Sequence, residues 1–440
     1  MRSDKLPHVA VIGGGPIGIE MSLNLVRSGN FKVTLLEQGP EVASHIRNHW
    51  SHVKLFSPNT LNLSAVGKET LTEQQGMSLP DDVAYLTGGE FVQSYLQPLG
   101  IFLQNSERCS VLFNSEVISV SRTDAPKHKS FPMRAKQSFQ LLCCRDGEEC
   151  YLGADVVIDA SGSYGNPNYM GPAGLPALGE RHFRAQGRIN HYTPPPAALS
   201  RATTRKVAVV GSGASAITTI NTLLESSKTE SSGTGSDPMT ILWITRTPPG
   251  QKPYEVVVDD PLPQRERLYA LANSLASNEG AEQSCLSDNI TIIYRENKNI
   301  TKIEEILSSE PSALPQLRLT LQPCGEDICS QEHIETHDVT EVFANCGYHP
   351  DMSITRELQV HYCYASEGPM KLAAAMLASS GGGSGDCLAQ VLPGKETLRS
   401  PESRFFVIGM KSYGRGSSFL LRIGYEQVEH VMALLEEENF

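Results

Sequence analysis

The sequence predicts an α/β fold made of two Rossmann-like domains, because two glycine-rich fingerprints each stand between a short apolar segment and a helical one. The first fingerprint, Gly13 to Gly18, follows the apolar segment 9–12. The second, Gly211 to Ala216, follows the apolar segment 207–210. A glycine-rich turn between a strand and a helix is the context in which this motif binds the pyrophosphate of a dinucleotide.

Each small residue of the first fingerprint has a physical role. Gly13 permits the tight turn, Gly15 lets the backbone approach a pyrophosphate, and Gly18 lets the helix pack closely on the strand. Pro16 and Ile17, which open the helix, join the cofactor-binding candidates because the pyrophosphate lies at the helix N-terminus. The corresponding candidates in the second fingerprint, where alanine replaces the third glycine, are Gly211, Gly213, Ala214, Ser215 and Ala216.

The strand that follows each fingerprint ends in a residue of opposite charge. Strand 32–36 ends in Glu37, about 20 residues after the fingerprint, where an acid binds ribose hydroxyls and repels a 2′-phosphate. Strand 241–245 ends in Arg246, whose forked guanidinium suits the 2′-phosphate of NADP. A solvated surface charge is the alternative for Arg246. The sequence therefore predicts FAD or NAD in the first site and NADP in the second.

The remaining elements follow the same apolar periodicities. A Ser- and Gly-rich stretch at 226–238 and another at 379–386 predict flexible loops, and the prolines of 193–196 predict a connector before the second fingerprint. Because strand-like segments follow the second unit, that unit is expected to be inserted into the first domain. Besides the strands given above, we predict a helix at 89–98, strands at 109–113, 116–120, 139–143, 154–162, 339–344 and 405–410, and a helix at 419–435.

Composition excludes several classes of function. The 440 residues suffice for two or three domains, and a net charge of −12 without a basic cluster argues against nucleic acid and anionic membranes as partners. No apolar run approaches the ~20 residues that cross a bilayer, and no signal peptide precedes the first strand, so we expect a cytoplasmic protein. The ten cysteines include no Cys-x-x-Cys and no ligand-type spacing, which predicts reduced thiols and no metal site.

Three further motifs, in this order along the chain, accompany the fingerprints. Asp159-Ala160-Ser161-Gly162 ends a buried strand, Gly187 and His191 keep a Gly-x-x-x-His spacing, and residues 345–351 read Asn-Cys-Gly-Tyr-His-Pro-Asp. Together with Glu37 they resemble the two-dinucleotide-binding-domain flavoproteins, and within them the flavin-containing and N-hydroxylating monooxygenases. The chain departs from that pattern at Ala185, where the family has phenylalanine.

The resemblance implies an FAD-binding domain with an inserted NADPH-binding domain. The FAD domain would comprise residues 1–195 and 338–440, and the NADPH domain residues 196–337. Gly409 is followed by Met410, where disulfide reductases place an aspartate that holds the ribityl chain, and this apolar residue resembles the flavin-containing monooxygenases. The missing Cys-x-x-Cys also removes the paired sulfurs that thiol exchange requires.

Further flavin-site candidates come from the same resemblance. Arg47 could neutralise a phosphate and Trp50 could stack near the flavin ring, the alternatives being a solvated arginine and a core tryptophan. Ser417 or Ser418 could cap the last helix with its amides facing the flavin, or cap it without any flavin contact. The remaining cofactor-binding candidates are Val117, Gly162, Gly347 and Gly409.

Three residues keep open roles. His191 is either part of the family signature or a hinge residue that binds backbone groups beside the prolines. Lys411 and Arg415 are candidates for contact with NADP or substrate, with solvated charge as the alternative.

The function that the resemblance implies is an NADPH-dependent, FAD-containing monooxygenase. It would form a C4a-(hydro)peroxyflavin and oxygenate a small nitrogen- or sulfur-containing nucleophile with O₂, and no catalytic side chain is assigned because the cofactor carries the chemistry. Two alternatives stay open: an NADPH-dependent flavin reductase without oxygenation, and a redox-sensing protein that keeps only the nucleotide fold. The substrate and the oligomeric state, a homodimer included, are left open.

Overall fold

The computed structural model describes residues 6–196, 205–230, 238–257, 260–277, 283–284, 290–306, 315–327, 329, 332–379 and 391–438. Residues 231–237 and 380–386 of the two predicted flexible loops lie outside these ranges. The chain divides into two compact units, one of residues 1–166 and 348–440 and one of residues 167–347.

The strands, numbered in chain order, are β1 His8–Ile12, β2 Lys32–Leu36, β3 Cys109–Leu112, β4 Ser115–Arg122, β5 Phe139–Arg145, β6 Glu148–Ala154, β7 Val156–Asp159, β8 Ile189–Asn190, β9 Arg205–Val210, β10 Met239–Ile244, β11 Gln283–Ser284, β12 Ile290–Arg295, β13 Lys298–Ile306, β14 Gln316–Pro323, β15 Glu335–Val339, β16 Glu341–Ala344 and β17 Phe405–Val407. The α-helices are α1 Pro16–Ser28, α2 Ser44–Trp50, α3 Asn59–Asn62, α4 Ala65–Glu69, α5 Gly88–Phe91, α6 Gln97–Gln104, α7 Phe131–Arg134, α8 Glu180–Ala185, α9 Ala214–Glu230, α10 Pro263–Ala276, α11 Met370–Ser379 and α12 Leu421–Glu437.

The first unit is built on a parallel sheet of order β17-β7-β1-β2-β3. Its central strand β1 is apolar and buried on both faces, as strands of covered parallel sheets are. Helices α1 and α12 share one apolar cluster with this sheet, and the antiparallel sheet β4-β5-β6 shares another. The predicted helix 89–98 is confirmed and longer, because α5, a π-helical turn at Val92–Leu96 and α6 follow one another without a break.

The second unit repeats the arrangement with a sheet of order β11-β12-β10-β9-β16-β8. Helices α9 and α10 contribute to an apolar cluster with strands β9, β10 and β12 of this sheet. The antiparallel sheet β13-β14-β15 shares a separate cluster with the same strands through their alternate residues. Two Rossmann-like cores therefore confirm the predicted α/β fold class.

The second compact unit includes residues 167–195 and 338–347, which the family resemblance assigns to the FAD-binding domain. The reason is strand pairing: β16 pairs with β9, and the two-residue strand β8 pairs with β16. The single strand predicted at 339–344 is wrong for the same reason. Its residues belong to two sheets, since β15 ends at Val339 and β16 begins at Glu341.

Two predictions at the C-terminal end are also corrected. The strand predicted at 405–410 ends at Val407, because Gly409 has a φ of +71° and opens a 3₁₀ turn. Helix α12 has Leu420, in an extended conformation, as its N-cap residue, and the Leu420 side chain forms no capping hydrogen bond. Ser417 and Ser418 lie before that position, so the prediction that one of them caps the helix is wrong. Among the described residues, no helix has the length and apolarity needed to span a membrane.

Candidate functional site

The first glycine turn is closed toward the protein and open at one position. Gly13 has a φ of +100°, and a Cβ on it would lie 2.7 Å from the carbonyl oxygen of Ala160. A Cβ on Gly18 would overlap the carbonyl of Gly13, whereas a Cβ on Gly15 would meet no protein atom within 4 Å. Protein packing thus explains the first and third glycines, and the open space at Gly15 fits the approach of a pyrophosphate.

Glu37 lies at the end of β2, where the sequence predicts a ribose ligand. It is 8% exposed, and its Oε2 accepts a hydrogen bond from the Gly14 amide at 2.8 Å while its Oε1 accepts one from the Gly39 amide at 2.8 Å. Burial raises the pKa of Glu37, and these two amides act against the rise. Because each carboxylate oxygen has two lone pairs, Glu37 can brace the glycine turn and still accept from a ribose hydroxyl.

A polar cavity of about 400 Å³ adjoins Glu37. Among its lining residues are His45, Asn48, Asn114 and Glu116. The candidate Val117 follows Glu116, but its side chain is buried in the apolar cluster between the sheets of this unit. The cavity suits the adenosine end of FAD, since polar groups line it and Glu37, the expected ribose ligand, is one of its lining residues.

Trp50 belongs to an aromatic cluster that the sequence did not reveal. Its ring packs edge-on against Tyr164 at 4.3 Å and His45 at 5.3 Å, with Tyr348 at 6.4 Å. Burial and the nearby His49 lower the pKa of His45 to about 4, so His45 is neutral at physiological pH. Tyr164 lies two residues after the motif 159–162 and Tyr348 lies within the motif 345–351, which is the sequence signal that could have identified them. Stacking of Trp50 on a flavin stays a prediction.

Arg47 is engaged by neighbouring side chains of its own unit. Its Nε lies 3.1 Å from Glu41 Oε2, and its terminal nitrogen donates to Gln97 Oε1 at 3.0 Å. A phosphate contact by Arg47 therefore stays a prediction, and one that would have to compete with Glu41.

Lys411 corrects the expectation of a solvated charge. It is 1% exposed, and its Nζ lies 2.6 Å from Asp159 Oδ2 and 3.1 Å from Ser161 Oγ. The Gly409 amide donates to Gln427 at 2.7 Å, which fixes the start of the same turn. This buried ion pair ties the turn after β17 to the strand-end motif 159–162. Arg415, in contrast, is exposed and pairs with Glu367.

Gly162, Ser417 and Ser418, also candidates for the flavin side, lie on irregular segments of the first unit. Gly162 has a φ of +75°, and a Cβ on it would meet no protein atom within 4 Å, so the space beside it is open. Ser417 is exposed and Ser418 is half-buried. Their contact with a cofactor stays a prediction.

The second glycine turn repeats the pattern of the first. Gly211 has a φ of +129°, and a Cβ on it would overlap the carbonyl of Asn345. A Cβ on Gly213 would meet nothing within 4 Å, and Ala216 is fully buried at the third position. Ala214 and Ser215 open α9 directly after the turn. This geometry fits a second pyrophosphate at the start of a helix.

Arg246 is exposed just beyond the end of β10 and forms no ion pair with a described acid. Burial raises the pKa of Cys346 to about 12, and Arg246 is the strongest charge acting against that rise. Arg246 therefore lies near the strand-end motif at Cys346 and Gly347, whose glycine has a φ of +79°. The 2′-phosphate of NADP is expected beside a cation at the end of the second strand, which is the position of Arg246.

His191 follows β8 in the second unit and is half-buried. Burial and the charge of Arg184 lower the pKa of His191 to about 4, while a hydrogen bond with the Ala344 backbone opposes the shift. The Asn345 amide donates to the His191 carbonyl at 3.4 Å. These contacts agree with a residue that binds backbone groups at the end of β16.

Cys143 and Cys150 form a cross-strand pair that no sequence motif indicates. Cys143 and Cys150 lie opposite each other on β5 and β6, and burial raises the pKa of Cys143 to about 11. Every cysteine in the described ranges is a free thiol, and no described group of His, Cys, Asp or Glu could hold a metal ion. Only pairing across strands places these two residues opposite each other, since seven-residue spacing carries no motif.

The chain is similar to known proteins in sequence and in structure. The family described as pyridine nucleotide-disulphide oxidoreductase matches residues 10–229. The bacillithiol disulfide reductase of Bacillus cereus is similar at 16% identity and a TM-score of 0.63, over 99% of this chain and 100% of its own. No curated protein sequence matches the chain.

Two monooxygenase structures are similar as well. The FAD-bound cadaverine monooxygenase of desferrioxamine biosynthesis from Erwinia amylovora is 13% identical with a TM-score of 0.61, over 99% of this chain and 95% of its own. The ornithine hydroxylase of Pseudomonas aeruginosa is 13% identical with a TM-score of 0.59, over 98% of this chain and 99% of its own. At identities this low, the structural similarity shows that these proteins share a fold with the chain.

Proposed function

The chain belongs to the pyridine nucleotide-disulphide oxidoreductase family, and from this premise we propose that it is an NADPH-dependent, FAD-containing monooxygenase. Its substrate would be a small nitrogen- or sulfur-containing nucleophile, oxygenated with O₂. That the chain is an FAD- and NADP-dependent oxidoreductase follows from the family together with its two-domain flavoprotein fold. Oxygenation is the further step that the proposal adds.

The residues present fit the two cofactors. In the first unit, Gly15 leaves room for a pyrophosphate and Glu37 offers a carboxylate to an unphosphorylated ribose. In the second unit, Gly213 leaves the same room and Arg246 offers a cation to a 2′-phosphate. FAD supplies two-electron chemistry when bound, accepting a hydride from NADPH and passing electrons to O₂.

The observation that best supports oxygenation is the apolar and aromatic character of the residues at the proposed flavin site. Trp50, Tyr164 and Tyr348 of the first unit pack together, and Tyr164 lies just after the strand-end motif 159–162. Met410, half-buried, stands where a reductase would place a carboxylate after Gly409. A site of this kind excludes water, which oxygenation requires because water promotes loss of activated oxygen as hydrogen peroxide. The two similar monooxygenase structures support the same conclusion.

The location and partners belong to the same proposal. The free thiols of the described cysteines and the net charge of −12 favour a reducing, cytoplasmic environment without nucleic acid. The partners would be O₂ and a small-molecule substrate.

The test is a balance of electrons and oxygen. Purified, FAD-loaded protein is mixed with NADPH in air and a panel of amines and thioethers, while NADPH, O₂, hydrogen peroxide and products are measured. A substrate should raise O₂ uptake and give one oxygenated product per NADPH, with its new oxygen derived from labelled O₂. NADPH consumption that yields only hydrogen peroxide with every compound of the panel would speak against oxygenation.

A reductase is the second candidate, and the facing thiols of Cys143 and Cys150 favour it. Such an enzyme would pass electrons from NADPH to a disulfide or quinone. The discriminating assay repeats the NADPH measurement without oxygen and with added acceptors. Fast anaerobic turnover that is lost in Cys143→Ser would replace the monooxygenase proposal with this one.

A further inference from the structure

We propose that Trp243 and Tyr254 are positioning residues that orient the second glycine turn for the pyrophosphate of NADP. The proposal rests on the proposed NADP site of the second unit and assigns it two side chains outside the fingerprint. Both side chains donate hydrogen bonds to carbonyl groups of the turn, and neither belongs to the glycine-rich motif.

Trp243 binds the first carbonyl of the turn. It lies on β10, is fully buried, and its Nε1 donates to the Gly211 carbonyl at 2.9 Å. Its ring packs against Tyr294 with the ring centres 4.7 Å apart, which holds the indole in place. A buried indole N–H needs an acceptor, and here that acceptor is the turn itself.

Tyr254 binds the second carbonyl. It lies in the loop after β10, and its hydroxyl donates to the Gly213 carbonyl at 2.7 Å. The same carbonyl also accepts hydrogen bonds from the backbone amides of Ala216 at 3.0 Å and Ile217 at 3.5 Å, and the Ile217 amide interacts with the Tyr254 hydroxyl. The hydroxyl therefore lies against the first turn of α9 and makes the shortest of the contacts to this carbonyl. Asn273 holds the Tyr254 backbone through two hydrogen bonds of 3.0 and 3.1 Å.

The geometry of the peptide bond converts these anchors into an orientation of donors. In a trans peptide the N–H points away from the C=O of the same unit, and the described chain contains no cis peptide. Anchoring the carbonyls of Gly211 and Gly213 therefore turns the amides of Ser212 and Ala214 away from Trp243 and Tyr254. Ser212 and Gly213 are exposed, so these amides face the open side of the turn, at the positive end of α9.

The contrast with the first unit explains why this turn uses aromatic donors. There, Glu37 accepts from the Gly14 amide, so the strand-end acid itself braces the turn. Arg246 has no acceptor atom and cannot do this. The exchange of acid for base that suits a 2′-phosphate removes one brace, and Trp243 and Tyr254 supply another from the carbonyl side.

The experiment separates pyrophosphate contacts from 2′-phosphate contacts. Calorimetric titration of the FAD-loaded protein with NADP⁺, 2′,5′-ADP and 2′-AMP compares the wild type with Tyr254→Phe, Trp243→Phe and Arg246→Ala. Tyr254→Phe and Trp243→Phe should weaken NADP⁺ and 2′,5′-ADP by about 5- to 10-fold, the equivalent of one net hydrogen bond, and leave 2′-AMP within about twofold. Arg246→Ala should weaken all three ligands.

A matched control comes from the first unit. Tyr95 is buried and its hydroxyl interacts with Ser64 at 3.0 Å, so Tyr95→Phe removes a comparable hydrogen bond far along the chain from the turn. It should alter thermal stability without altering NADP⁺ affinity. Two results would overturn this inference and leave the proposed function standing. One is an affinity for 2′,5′-ADP that is unchanged from the wild type in both aromatic variants. The other is a loss of affinity for 2′-AMP as large as the loss for 2′,5′-ADP. Absence of NADP⁺ binding by the wild type would overturn the proposed function.

Discussion

Replacing Lys411 by methionine should destabilise the first unit strongly. The change keeps the length of the side chain but removes the ammonium that lies 2.6 Å from Asp159 Oδ2. Asp159 is fully buried, and its Oδ1 would keep only the amide and hydroxyl of Ser161. Leaving one charge of a buried pair without its partner costs about 3–5 kcal/mol. That loss is a large part of the roughly 5–15 kcal/mol that stabilises a typical domain.

The two tryptophans of the chain allow the units to be followed separately, because Trp50 lies in the first unit and Trp243 in the second. Urea unfolding is recorded through Trp50 fluorescence in a Trp243→Phe background, for Lys411→Met and for the double variant with Asp159→Asn. The double variant should recover at least half of the lost free energy of unfolding, since it buries no lone charge.

Lys68→Met is the matched control, because Lys68 pairs with Asp82 at the surface of the same unit and exposed pairs contribute about 0–1 kcal/mol. A Lys411→Met protein as stable as this control would refute the buried ion pair and its cost.

Three further predictions concern the cofactor sites. Gly15→Ala should fold normally yet retain little FAD, because its Cβ would enter open space where the pyrophosphate is expected. Gly13→Ala should instead lower the melting temperature, because its Cβ would collide with the Ala160 carbonyl. Equal melting temperatures of the two variants would contradict this prediction. Glu37→Gln should weaken FAD binding by roughly 2 kcal/mol, about 30-fold. The reason is that a glutamine side chain has one acceptor oxygen and cannot accept from the amides of both Gly14 and Gly39. Undiminished flavin content after gel filtration would count against this prediction. Arg246→Ala should reduce the preference for NADPH over NADH, measured as the ratio of their KM values, at least about tenfold. Arg267→Ala, which removes an exposed arginine of the same unit, is the control and should leave this ratio unchanged. A wild type without preference would show that Arg246 is a surface charge.

Local sequence patterns were sufficient for the features that span few residues. The fingerprints at 13–18 and 211–216 were recognisable because a strand, a tight turn and a helix follow one another directly. The position of Glu37 followed from its spacing after the first fingerprint, and that of Arg246 from the end of the strand after the second, since this strand end adjoins the turn in units of this kind. The structure then added to Glu37 a contact with Gly14 that the spacing alone does not specify.

Pairing across the sheet determined what the pattern could not. Strand β8 has two residues, too few for any periodicity, yet it extends the second sheet and moves residues 167–195 into the second unit. Segment 339–344 reads as one strand, but Val339 ends β15 in one sheet and residues 341–344 form β16 in another. Sequence periodicity reports burial of a residue and is silent about the strand that buries it.

By itself, the sequence determined the fold class, the two glycine turns and the opposite charges at their strand ends, because these depend on neighbours along the chain. Only the tertiary structure decided which distant groups complete each site. Tyr254 reaches Gly213 across 41 positions, and Lys411 reaches Asp159 across 252. Such contacts form because a buried donor or charge must find a partner inside the folded protein, and the fold, more than the local pattern, selects that partner.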